Sequence, residues 1–120
     1  MASATVIENS KKTFIATDAI GAYLLTKLDA SGNVVAATGT AAGEVRVGLT
    51  DRAAGAGEAT GVVLLNGGGT AYCTPADTVV IGDALYGGAD GKVSTTADGS
   101  IIGYALDAGA ADDVIELLLA

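Results

Sequence analysis

The sequence predicts a mainly β fold: a small β-barrel or sandwich of short strands, built as two similar meander halves, with little helix and an extended N-terminal arm. Three observations carry this. Glycine, 18 of the 120 residues, interrupts every candidate helix before the ~12 residues that a stable helix needs have accumulated. Between the glycines lie short runs of β-branched and apolar residues. One pattern also occurs twice. Tyr23, Ser31-Gly32-Asn33-Val34, Val47-Gly48-Leu49-Thr50-Asp51, Ala54-Gly55-Ala56 and Val62-Val63-Leu64-Leu65 match Tyr86, Asp90-Gly91-Lys92-Val93, Gly103-Tyr104-Ala105-Leu106-Asp107, Ala108-Gly109-Ala110 and Val114-Ile115-Glu116-Leu117-Leu118-Leu119.

Residues 1–20 differ from the rest and are expected to form the arm; residues 21–120 form the β domain. Thr5, Val6, Ile7 and Phe14 are β-branched or aromatic anchors beside Lys11 and Lys12, two of only six basic residues. An extended segment that pairs with another chain has this composition, and so has an ordinary first strand with a solvated lysine pair. Ala22 to Leu28 is a strand, the turn Asp29-Ala30-Ser31-Gly32-Asn33 reverses the chain, and Val34-Val35-Ala36 returns as a hairpin. Gly43 to Thr50 alternates, with Val45, Val47 and Leu49 on one face and Arg46, Gly48 and Thr50 on the other, the pattern of a half-buried strand. Val62-Val63-Leu64-Leu65 is apolar on both faces, so it lies centrally or turns one face to another subunit. Gly67-Gly68-Gly69 ends it and Tyr72 resumes an extended course. Thr74-Pro75-Ala76-Asp77 has the cap and first-turn residues of a single helical turn, after which Thr78-Val79-Val80-Ile81 is again β-branched.

A formal charge of −8 with no histidine excludes the clustered lysine and arginine that a nucleic-acid phosphate backbone demands, and disfavours anionic membrane on the same grounds. No apolar run approaches the ~20 residues of a membrane-spanning helix. The N-terminus lacks the charged and apolar regions of a signal peptide, which points to synthesis in the cytoplasm. A chain of this length buries roughly 65% of its unfolded surface, and one Phe, four Tyr and no Trp leave an aliphatic, thin core, so extra burial is expected at an oligomer interface.

The residues offer no catalytic set. Cys73 has no histidine to act as its base, and its place in Gly69-Thr70-Ala71-Tyr72-Cys73-Thr74 suits a buried, inert thiol. Asp112-Asp113 with Glu116 is the densest acidic cluster, but neighbouring strand residues point to opposite faces and no aromatic pocket is at hand to separate their pKa values. Asp90-Gly91-Lys92 with Ser94-Thr95 lacks the spacing of a phosphate loop and is a hairpin turn. Asp83, Asp90 and Asp98 lie beside glycines without an EF-hand or nonapeptide calcium pattern, as turn aspartates bonding their own backbone do. No enzyme, cofactor or metal site is expected.

Gly82-Asp83-Ala84-Leu85-Tyr86, Ala89 to Thr95, Ile101-Ile102-Gly103-Tyr104-Ala105 and the closing Asp113-Val114-Ile115-Glu116-Leu117 resemble the C-terminal half of small tailed-bacteriophage capsid decoration proteins, also called cement or head-stabilising proteins. Gly43 to Gly48 and Val62 to Leu65 resemble that family's first half, and the resemblance covers roughly Ala22 to Leu119. It implies a β subunit, commonly a homotrimer, on the outer capsid surface of the virion, clamping neighbouring major capsid protein subunits. On that reading Thr5, Val6, Ile7, Lys11, Lys12 and Phe14 are the expected contacts with the capsid or a neighbouring copy. The alternative from another class is a carbohydrate- or host-surface-binding β module carried on the virion, for which the four tyrosines speak and the absence of tryptophan does not.

Overall fold

The computed structural model describes residues 10–38, 44–97 and 100–120. It is built from ten short strands: β1 Lys11–Ile15, β2 Leu25–Leu28, β3 Val34–Ala36, β4 Arg46–Thr50, β5 Ala59–Leu64, β6 Thr70–Cys73, β7 Ala84–Gly87, β8 Val93–Ser94, β9 Gly103–Ala105 and β10 Ile115–Leu119. Their only helical companions among the described residues are the 3₁₀ turns Leu65–Gly67 and Ala89–Gly91. The strands form two antiparallel sheets with the orders β1-β5-β4-β2-β3 and β6-β10-β9-β7-β8. Adding five to each label of the first order gives the second, so the doubling expected is built, although in each half only β2–β3 and β4–β5, or β7–β8 and β9–β10, are neighbours in both sequence and sheet, so neither half is a simple meander.

The match extends to single hydrogen bonds. Thr17 N–H donates to Val34 O as Ala76 N–H does to Val93 O; Tyr23 N–H to Thr50 O as Gly82 N–H to Ala105 O; Asp51 N–H to Gly61 O as Leu106 N–H to Glu116 O. Each sheet curls until its two edges meet, through parallel bridges Ala16 to Val34 and Pro75 to Val93. These bonds also correct the expected register. Tyr23 corresponds to Gly82, both with positive φ, rather than to Tyr86, and Ala54 corresponds to Gly109, each the partner in an antiparallel bridge, one residue off the Ala-Gly-Ala match. The two halves are offset by 59 residues up to β3 and by 55 from β4 on, because the β3–β4 connection is four residues longer than its counterpart between β8 and β9.

Residues directly opposite in paired strands share a face, which lets the two faces of each sheet be compared. One face of the first sheet carries Leu25, Leu49 and Val63, paired in a row. These join a single cluster with Ala71, Cys73, Leu85, Ala105, Ile115, Leu117 and Leu119 of the second sheet. By register those second-sheet residues occupy the opposite face of their repeat. The repeats are therefore stacked head to tail, unlike face on unlike face. The first sheet's other face holds Thr26, Thr50 and Thr60, all 0–1% exposed, where the second has Leu85, Ala105 and Ile115. The threonine hydroxyls donate to the carbonyls of Gly48, Gly21 and Arg52, so this layer is polar yet satisfied.

Val62-Val63-Leu64 lies in β5, between β1 and β4. Val62 and Val63 are both buried within the chain, so of the two expectations for this strand the central placement is realised. The expected helical turn at Thr74 to Asp77 does not form; Pro75 instead bridges β8, where the bonds are made by its neighbours, Val93 N–H to Thr74 O and Ala76 N–H to Val93 O, so a residue without an N–H is tolerated there. The alternation expected for β4 holds from Val47 on, but Val45 is 60% exposed and the strand begins only at Arg46, where a register shift against Thr26/Lys27 breaks the period.

Gly48 and Gly103 hold equivalent places at the centre of each sheet. A Cβ at either would strike a backbone carbonyl oxygen, that of Val63 or Leu118, which no rotamer change can relieve. Gly103→Ala is expected to cost about 3 kcal/mol through overpacking, read as a lower midpoint in urea unfolding at unchanged slope; an unchanged midpoint would contradict the close approach.

Candidate functional site

β1 is the edge strand of the first sheet. Its register with β5 runs Lys11 to Val63, Lys12 to Val62, Thr13 to Gly61, Phe14 to Thr60 and Ile15 to Ala59. Leu64 N–H donates to Ser10 O at 2.8 Å and Ala16 N–H to Glu58 O at 2.9 Å. Antiparallel bonding alternates along the strand, so Ser10, Lys12, Phe14 and Ala16 turn their backbone groups to β5, and Lys11, Thr13 and Ile15 turn theirs outward. Along this edge Ser10 to Ile15 is exposed except for half-buried Phe14. Of the six expected contact residues, Lys11, Lys12 and Phe14 are thus brought together on one strand. Thr5, Val6 and Ile7 lie outside the described residues. The segment expected as an arm enters the sheet at Lys11.

The lysines differ in their surroundings. Lys12 Nζ stands 5.6 Å from the centre of the Phe14 ring, a cation–π contact two residues along the same strand face. Lys11 Nζ lies 3.4 Å from Asp51 Oδ2, with both side chains substantially exposed; such surface pairs contribute little. Beside it opens a cleft of about 300 Å³ at the junction of the two repeats, lined by Lys11, Tyr23, Asp51, Thr70, Tyr72 and Glu116 over a floor that includes Leu49 and Val63. The Tyr23 and Tyr72 rings meet edge to face with centroids 5.7 Å apart. Tyr23 reaches this place because the turn before β2 holds it at φ 61°.

A second polar cluster was not foreseen. Glu44, its side chain only 3% exposed, accepts from Arg46 Nε at 3.1 Å, and Lys27 Nζ stands 4.0 Å away. The Thr38 hydroxyl and amide both donate to the same carboxylate. The Arg46 guanidinium lies against Gly87 of β7, where a Cβ would sit under 3 Å from it, so the cluster pins the first repeat to the second. Burial pushes the Glu44 carboxyl up, but the Thr38 hydrogen bonds and the Arg46 bond and charge outweigh it and hold the pKa below its ordinary value. The sequence hid this because the residues before β4 look like a solvated strand end, and nothing in them signals the Gly87 surface opposite.

Elsewhere several acidic residues accept from backbone amides or pair with a lysine. Asp83 accepts from Val80 N–H, Asp113 from Ala110 N–H and Asp107 from Glu116 N–H; Asp112 meets Lys92 at 2.7 Å, which raises the lysine's pKa through that bond and charge. Asp98 lies outside the described residues. Among those described, no group of three or more His, Cys, Asp or Glu is placed to hold a metal. Cys73 is fully buried, and burial pushes its thiol up to about 12, so it is a neutral packing group at physiological pH.

No family model matches the chain, and no curated protein matches it in sequence. Among solved structures, the N base of the head fiber gp8.5 of bacteriophage phi29 superposes with a TM-score of 0.71, over 94% of this chain and 95% of that one, at 19% identity. The two share a fold. In this chain that fold is mainly β, with two curled five-stranded antiparallel sheets, as the sequence led us to expect of its class.

The Glu44 cluster makes a pH-dependent prediction. A carboxyl whose folded pKa is depressed adds stability that is fully present above its unfolded value and is lost as pH falls through the folded value. Glu44→Gln is expected to cost about 1–3 kcal/mol at pH 7, with the difference from the parent chain shrinking as pH drops below the ordinary carboxylate range; chemical denaturation across that range checks it, and a deficit that grows on acidification would refute it.

Proposed function

We propose that this chain is a non-enzymatic structural protein of a bacteriophage virion, bound to the outer surface of the head and stabilising the expanded capsid by clamping neighbouring major capsid subunits. The observation that carries the reading is the end-to-end fold match to the phi29 head fiber base, which agrees with the resemblance of Gly82 to Leu117 to head decoration proteins. The acidic surface and the lack of a catalytic set speak for the same role.

In this reading β1 is the clamp. The outward backbone groups of Lys11 and Thr13, ahead of the point where Ala16 bridges β3, can take a capsid strand by edge addition, which needs main-chain hydrogen bonds rather than sequence-specific chemistry. Lys11 and Lys12 meet acidic capsid surface, Phe14 anchors an apolar pocket, and Thr5, Val6 and Ile7 extend the contact beyond the described residues. Each hydrogen bond contributes about 0.5–1.5 kcal/mol, and a shell repeats it many times. The protein is a homotrimer on the particle. The junction cleft favours a second reading, a glycan-binding module, because two tyrosine rings and the carboxyl-bearing Asp51 and Glu116 line it.

The test is decoration of expanded heads. Deleting residues 1–14 is expected to weaken head binding and lower the temperature at which decorated heads break, and Thr13→Pro in the full chain, which removes an outward N–H, to do so with the rest of the strand in place. If both variants decorate and stabilise heads as well as the parent chain, the clamp does not lie in β1. A glycan array on which the parent binds and Tyr72→Ala does not would favour the second reading instead.

A further inference from the structure

The head-to-tail stacking of the repeats leaves one face of the second sheet without the cover that its counterpart has. Ala84, Tyr104, Leu118 and Thr70 form a paired row across that face, equivalent to the row Leu25, Leu49, Val63 and Lys11 of the first sheet. In the first repeat, Leu49 and Val63 are 1% and 6% exposed because the second repeat covers them; in the second, Tyr104 and Leu118 are 42% and 44% exposed. The adjoining row opposes Leu106, Glu116 and Tyr72, and Val114 follows along the same side of β10. Five large apolar or aromatic side chains, Tyr72, Tyr104, Leu106, Val114 and Leu118, thus surround one carboxylate, Glu116, on a sheet face that the described residues leave largely open, each of the five being 40–53% exposed even with the Tyr23 ring against Tyr72.

We infer that this face is the contact between copies of the chain, which identifies the surface behind the homotrimer included in the function proposed above and rests on that part of the reading. The occupant follows from the molecule's own precedent: the same face in the first repeat is already buried by another unit of the same fold. The chemistry is self-complementary as well. The Tyr72 and Tyr104 hydroxyls of one copy can donate to Glu116 of the next, so the carboxylate is not buried without a partner. An open head-to-tail filament is excluded, because the surface a further unit would have to offer is the threonine layer of the first repeat, closed by Thr26, Thr50 and Thr60. Copies therefore turn this face toward a closed symmetry axis, each giving its tyrosines to Glu116 of the next.

The test is the mass of the full chain in solution, without heads, by sedimentation equilibrium. It is run in about 1 M salt, where the screening length is about 3 Å and the repulsion between chains of charge −8 is suppressed. The parent is expected to associate to a small closed multiple, and Leu118→Asp to weaken that association at least tenfold. Val45→Asp, at a site in the first repeat that is more exposed still, should not change it. Because substitution could disturb folding, hydrogen exchange on the parent chain gives a second readout: protection in Gly103–Ala105 and Ile115–Leu119 should rise with protein concentration while that in Leu25–Leu28 stays constant. A parent that remains monomeric at its highest soluble concentration, or protection independent of concentration, overturns the inference. Either result leaves the β1 clamp to be judged by head decoration, and failed decoration leaves the solution mass to be judged here.

Discussion

The packing of one face of the first sheet onto the opposite face of the second governs the rest of the molecule. Burying Leu25, Leu49 and Val63 removes side chains from water that are each worth roughly 1.5–3 kcal/mol, and the second sheet answers with Ile115, Leu117 and Leu119. Because unlike faces meet, the repeats cannot keep the same residues at equivalent places. Thr26, Thr50 and Thr60 of the first repeat stand where the second has Leu85, Ala105 and Ile115, since the second repeat's inner face lies in the shared core and the first repeat's is closed only by its own loops. A pseudo-two-fold pairing would have required the same face to be apolar in both.

That arrangement decides what is left for contact with other molecules. With β5 flanked on both sides and covered on both faces, β1 is left at the edge with half of its backbone groups facing out. The cleft between Tyr23 and Tyr72 opens where the first sheet's covered face runs out from beneath β6. Among the described residues, shape and outward backbone groups are what this surface offers, while Cys73 is buried and neutral and Asp83, Asp107 and Asp113 accept from backbone amides.

The doubling of the unit, the hairpin at Asp29 to Asn33, where Asp29 N–H bonds Asn33 O, and the turn around Asp90-Gly91-Lys92 were legible in the sequence, because local glycine and Asx chemistry marks them, whereas the strand order within each half was not. The pairing of repeats was legible only roughly. Tyr23 matches Tyr86 by residue type, but the backbone sets it against Gly82, since what the turn before β2 and β7 repeats is a positive φ and not an aromatic ring. The stacking direction was not legible at all: a strand such as Val62-Val63-Leu64 shows that both faces are buried without showing against what. Arg46 and Glu44 were hidden for the same reason, as their meaning depends on Gly87, a residue 41 positions away. Lys11, Lys12 and Phe14 were picked out by composition and do share an edge strand, although that strand belongs to the sheet.

The order of strands in the second sheet bears on how the chain is made. β10 comes last in sequence yet sits inside its sheet, bonded to β6 on one side and β9 on the other, and it supplies Ile115, Leu117 and Leu119 to the shared core. As the nascent chain leaves the ribosome, the first repeat can form all its strand pairs while Leu25, Leu49 and Val63 still face water. Only when residues 115–119 have emerged can the second sheet close over them. Completion of the shared core thus waits for translation of this region, and until then the first repeat exposes apolar surface of the kind that makes nascent chains prone to aggregate.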